Sequence, residues 1–139
     1  MKLPIEDNPE ELLEYGRAHA YLNQADDLLG TFIDFQKKRK KAFHNTCKGQ
    51  TLGQKITNNK KWIPLALLAD LEIFNEKRRE LSHHGFIFFL DPESNSMRPA
   101  TIIERHNMIK VDNIYLEDLD KIVKLGTKLI EALLKELKK

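Results

Sequence analysis

The sequence has little of what would tie it to a membrane, an oxidising compartment or a metal. It holds one cysteine, Cys47, so an internal disulfide framework is excluded, and a lone thiol fits a reducing compartment. No apolar run approaches the roughly 18–20 residues that a membrane span needs. The N-terminus has no basic-then-apolar signal pattern, so a cytoplasmic protein with no membrane partner is expected. An excess of one charge is lacking too. With 23 Lys and Arg against 21 Asp and Glu, the net charge of +2 does not imply nucleic acid; only local clustering can. Gly49 and Gly53 stand alone with no Gly-Lys-Ser/Thr after them, which excludes a phosphate loop. There is no His-Glu-x-x-His, and the adjacent His83 and His84 would point about 100° apart on a helix, a poor pair of zinc ligands. Ser82 lies beside His83 without a strand–turn–helix elbow, so a serine nucleophile is not indicated. Neither a metal nor a cofactor is expected.

What is present is a globular chain of 139 residues, 32% charged and 41% hydrophobic, the size of one domain able to bury its own core. Asn8-Pro9-Glu10-Glu11 suits a helix start, and Leu12, Tyr15, Leu22, Ala25, Leu28, Leu29, Phe32 and Phe35 recur near helical period. This first helix is expected to run to about Phe43. Its last turns carry five consecutive cations, Lys37, Lys38, Arg39, Lys40 and Lys41. They read as a solvated helix end or as a patch contacting RNA phosphates. Thr51 to Ile56 reads as a short second helix opened by a threonine cap, followed by a polar loop at Thr57 to Lys61.

The third helix is expected from Trp62 or Ile63, with Pro64 in its first turn and Leu65, Leu67, Leu68, Leu71 and Phe74 facing inward, to a stop at Gly85. Phe86 to Leu90 and Ala100 to Glu104 read as two strands around the turn cluster Asp91 to Ser96. Arg105, His106 and Lys110 behind them are a second basic edge or simply solvated. Leu116, Leu119, Ile122, Val123, Gly126, Leu129, Ile130, Leu133, Leu134 and Leu137 repeat at three and four, the pattern of a final amphipathic helix. The fold class expected is mainly α: an up-and-down helical bundle of about four helices, with a small β-hairpin inserted before the last one, forming a single domain over residues 1–139.

The stretch from Phe74 to Phe86 holds the chemistry. Apolar residues at Leu67, Leu71, Phe74 and Leu81 trace one helical stripe, and the position between the last two carries Arg78. An unpartnered charge in such a seam costs roughly 3–5 kcal/mol, so Arg78 is either paired or functional. His83 and His84 follow at the helix end. Arginine offers a planar fork of donors suited to phosphate, and histidine moves protons near neutral pH. Together they suffice for RNA transesterification: a base takes the ribose 2′-OH proton, the oxygen attacks the adjacent phosphorus, and a cation stabilises the developing charge.

Arg78-Arg79-Glu80-Leu81-Ser82-His83-His84-Gly85 at a helix end resembles the signature of the HEPN superfamily, an arginine followed four to six residues later by histidine. The Thr51 to Gln54 stretch and the opening of the last helix at Tyr115 to Leu119 are also similar to segments of that family. The resemblance implies a helical bundle that dimerises with the two motifs facing each other. It also implies metal-independent endoribonuclease activity in many members, often toxins or antiviral effectors. Others are non-catalytic modules binding RNA, nucleotide or a protein partner such as an antitoxin. Carried onto this chain, His83 is the proton-transfer residue and Arg78 the phosphate-binding one, with Arg79, Glu80, Ser82 and His84 in support. Arg79 to His84 also satisfies the spacing; Arg78 with His83 is preferred because Leu81 then falls three after the arginine. The residue after the arginine, commonly Asn, Asp or His in the family, is Arg79 here. On a regular helix Arg78 and His83 stand about 140° apart, so one phosphate reaches both only if the helix unwinds or a second subunit completes the site.

Overall fold

The computed structural model describes residues 9–42, 45–83, 85–91, 96–105, 108–113 and 116–139, and of these the side chains at 11, 12, 80 and 82–118 are not described. The fold is mainly helical. Four helices carry it: α1 (Pro9–Arg39), α2 (Leu52–Asn58), α3 (Leu65–His83) and α4 (Leu116–Leu137). A short 3-10 turn, Lys60–Trp62, links α2 to α3, and three extended segments, Gly85–Asp91, Ser96–Arg105 and Met108–Asn113, lie between α3 and α4.

α1 opens at Pro9, where a missing N–H costs nothing; Asn8, its expected cap, lies outside the described residues. Its end departs from expectation. The helix stops at Arg39 rather than near Phe43 because Lys41 turns left-handed, at φ 53°. The Lys41 N–H then donates to the Lys38 carbonyl and the Ala42 N–H to the Lys37 carbonyl, both at 3.0 Å. This is a Schellman stop with lysine at the position glycine usually fills.

α2 begins at the expected cap. Thr51 Oγ1 accepts from the Gln54 N–H at 3.2 Å while the Gln54 side chain accepts from the Thr51 N–H at 2.9 Å, a reciprocal capping box. The expected polar loop at 57–61 is instead the last turn of α2 followed by the 3-10 turn. Trp62 ends that turn and Pro64 precedes α3, so the third helix starts at Leu65, later than the sequence suggested.

The core joins α1, α3 and α4. Leu22, Ala25, Leu29, Phe32 and Ile33 meet Leu71, Phe74, Leu81, Leu119, Ile122, Val123, Leu129 and Leu133, all buried. Three expected inward residues face out. Leu65 is 84% exposed because it belongs to the row Leu65, Ala69, Ile73 on the solvent side of α3. Phe35 and Leu134 sit beside the buried rows of α1 and α4 rather than on them, at 41% and 45% exposure. A Cβ on Gly126 would lie 3.1 Å from the Tyr21 Cβ and 3.4 Å from the Phe74 ring, so α4 meets α1 and α3 at a point with room for no side chain. Lys128 then bonds Asp70 at 2.8 Å across α4 and α3. Among the described residues no helix is long and apolar enough to cross a membrane.

Gly126→Val forces a branched side chain against a Cβ that cannot rotate away. It should cost about 1–3 kcal/mol, read as a lowered urea midpoint at unchanged slope.

Candidate functional site

α3 positions the arginine of the motif. With Phe74 at 0% and Leu81 at 5% exposure, Arg78 between them is drawn into the seam and is half-buried. Its Nε donates to Asn75 Oδ1 at 3.2 Å, one turn back. Glu76, the acid next to Asn75 in the chain, is bonded by Arg79 at 3.4 Å, an exposed pair that contributes little. Asn75 is itself held close to α2: a Cβ on Gly53 would lie 3.2 Å from the Asn75 amide. The glycine of the 51–54 stretch therefore lets α2 reach the residue that orients Arg78.

α3 stays α-helical through His83. Five residues of regular helix separate Arg78 and His83 by about 7.5 Å along the axis and about 140° around it. Unwinding between them, one of the two ways foreseen to bring them together, does not occur. The side chains of Glu80, Ser82 and His83 are not described, and His84 lies outside the described residues. Below the Arg78 end, a groove of about 540 Å³ runs between α2 and α3, lined by Gly53, Ile56, Lys60, Ile73, Asn75 and Glu76 among others.

The cation run splits. Lys38, Arg39, Lys40 and Lys41 are exposed, as a solvated end or an RNA patch requires. Lys37 is not: it is 9% exposed. It falls four residues after the fully buried Ile33 and so continues the inner stripe of α1, which removes it from an RNA-contacting surface.

A polar cluster that the sequence did not single out lies at this end of α1. Lys55 Nζ bonds Asp26 Oδ1 at 2.6 Å and the Asp26 carbonyl at 3.2 Å, with the lysine side chain 8% exposed and the aspartate 26%. Gly30 leaves space for the lysine stem, since a Cβ there would lie 3.3 Å from Lys55 Cε. The Asp34 carboxylate accepts the Cys47 N–H at 3.1 Å, and the Asn59 amide donates to the Lys55 carbonyl at 2.8 Å while lying 3.9 Å from Cys47 Sγ. Burial pushes the Cys47 thiol up, the Asp34 charge and hydrogen bond add to this, and Lys37 and Lys55 oppose it. Cys47 is thus held as a neutral thiol, a poor nucleophile. The cluster fastens α2 and the 47–50 turn to α1, and Asp26, Asp34, Cys47 and Lys55 line a groove of about 450 Å³ there. One signal could have revealed it: Lys55 falls three after Leu52 and beside Ile56, on the inner face of α2.

On the first half of α1, His19 packs edge-on to Tyr15, ring centroids 4.5 Å apart, and its Nε2 is buried with no hydrogen-bond partner. Burial pushes the imidazole below its ordinary value of 6.5.

Two outcomes follow. Asp26→Ala leaves the Lys55 ammonium buried without its acid and should cost about 3 kcal/mol in urea denaturation, the low end for a pair with one partly exposed member, whereas Asp26→Leu with Lys55→Met should recover most of it. Because the His19 value is depressed in the fold, its contribution is present above pH 6.5 and lost as pH falls through the lower folded value. His19→Phe should flatten that part of the stability–pH curve.

No family model matches the chain, and no curated protein and no solved structure matches it.

Proposed function

We propose that this chain is a HEPN-like endoribonuclease, working as a homodimer without metal, in which His83 of one copy and Arg78 of the other act on the same phosphate. His83 takes the ribose 2′-OH proton, that oxygen attacks phosphorus, and Arg78 stabilises the charge that develops on the phosphate oxygens. Arg79, Glu80, Ser82 and His84 are the supporting residues of the proposal. The observation that carries the reading is Arg78 itself: a half-buried guanidinium between Phe74 and Leu81 whose described partner is the neutral amide of Asn75 rather than an acid. The regular helix through His83 supports placing the two halves on different subunits. The small β-hairpin inserted before the last helix, and the up-and-down order of the bundle, belong to the same proposal. A free Cys47 supports a cytoplasmic setting, and a toxin or antiviral effector is the role we assign.

The same regular helix favours a second reading, a non-catalytic module of this fold that binds RNA, nucleotide or an antitoxin-like protein. Cleavage of a small structured RNA in the presence of chelator separates the two. Wild type should cut, and Arg78→Ala and His83→Ala should each lose about 10²–10⁴-fold with unchanged circular dichroism. Equal traces from all three proteins overturn the enzyme. Co-refolding the two variants tests the shared site: half of the dimers become mixed, each with one intact site of two, so about a quarter of wild-type activity should return. No return would place both residues' work within one chain.

A further inference from the structure

The exposed cations at the end of α1 are not alone there. Arg39 lies over the Phe35 ring, 5.7 Å from its centroid, and Phe35 is 41% exposed. On the 3-10 turn, Lys61 lies over the half-buried Trp62 ring at 5.4 Å. The turn packs against α1, and a chain of contacts holds it there. Asp34, next to Phe35, accepts the Cys47 N–H; Cys47 Sγ neighbours the Asn59 amide; and the Asn59 carbonyl accepts the Trp62 N–H at 2.9 Å. Six exposed cations thus lie near the end of α1, Lys38, Arg39, Lys40 and Lys41 on the helix and its terminal turn and Lys60 and Lys61 on the 3-10 turn packed against it, and each group has one cation over an aromatic ring. A solvated helix end accounts for the cations. The ring, beside the buried row of α1 and 41% exposed with a guanidinium over it, adds an open aromatic face to them.

We infer that this end of the molecule binds single-stranded RNA, the bases stacking on Phe35 and Trp62 and the phosphates meeting the six cations. Duplex RNA hides its base faces; a single strand presents them, and a ring flanked by cations is the surface that takes them. The choice of RNA rests on the proposed function, but the stacking surface does not depend on cleavage. A path also connects the two. Lys60 lies 3.9 Å from Glu72 at one end of the groove between α2 and α3, whose other end is walled by Asn75 and Glu76. From Glu72 to Arg78 is about 9 Å along α3. The groove's acids are engaged, Glu72 by Lys60 and Glu76 by Arg79, so a strand leaving the stacking surface meets neutralised walls on its way to Arg78.

Trp62 is the only tryptophan in the chain, so its emission reports on this surface directly. The experiment titrates His83→Ala protein, which leaves the oligonucleotide uncut, with a single-stranded oligouridine of about ten nucleotides, within the site sizes such surfaces cover. Trp62 emission should be quenched on saturation, Phe35→Ala should weaken binding about tenfold, and Arg39→Ala with Lys61→Ala should weaken it and lower the salt dependence. Phe35 is exposed enough for its truncation to leave the fold intact, and the quench requires no substitution at all. An RNA duplex of the same length, a heparin fragment and anionic phosphatidylserine vesicles are the comparison arms. No quench by the single strand, equal binding of the duplex, or equal quench by heparin or by vesicles overturns the inference. Quench with no cleavage by wild type leaves the surface standing and removes the enzyme; cleavage without quench does the reverse.

Discussion

The contact at Gly126 is the constraint on which the remaining geometry depends. α4 can reach α1 and α3 together only because it presents no side chain where the Tyr21 Cβ and the Phe74 ring converge. With α4 seated, Phe74 is fully buried and the rotation of α3 about its axis is fixed. A helix turns about 100° per residue, so fixing Phe74 fixes every other position on it. Leu71 and Leu81 go inward, Leu65 and Ile73 go outward, and Arg78 is left in the seam with its charge half withdrawn from water. The arginine is held there by apolar packing that it does not itself provide.

α2 is fastened by different means. At seven residues it is too short to persist alone, and it borrows stability from its capping box and from polar contacts to its neighbours. Lys55 reaches Asp26 on α1, and Asn59 closes back on the Lys55 carbonyl beside Cys47. A buried ion pair adds little net stability against an apolar pair of the same shape; what it adds here is a single allowed seating of α2. That seating sets the wall of the groove toward Asn75 and the place of the 3-10 turn against α1, so the Arg78 end and the cation–aromatic end are positioned by one polar cluster.

The helices were legible in the sequence wherever periodicity or capping was strong. α4 repeats at three and four over its whole length, and the Thr51 to Gln54 box announces itself locally. Helix ends were not legible where the stop uses an unusual residue: nothing in Lys40-Lys41-Ala42 signals a left-handed turn that glycine usually makes. Charge was misleading when taken as exposure. Lys37 and Lys55 both occupy positions their helices turn inward, and like Arg78 they are cations on an apolar stripe. The Asp34 to Cys47 contact, joining residues thirteen apart through a turn, has no local sequence signature.

These seam cations differ in what surrounds them, and the difference separates structure from recognition. Lys55 ends on a carboxylate at 2.6 Å and a carbonyl at 3.2 Å, so its charge is consumed within the fold. Arg78 has a fork of five N–H donors, of which one is taken by the Asn75 side chain among the described residues. An amide does not neutralise a guanidinium. A chain that needed only to fill the space between Phe74 and Leu81 would be better served by leucine, which has no charge to desolvate. An arginine kept there, steadied by a neutral neighbour and with one of its donors engaged among the described residues, is suited to an anion that arrives from outside, and the planar fork matches phosphate better than a lysine would.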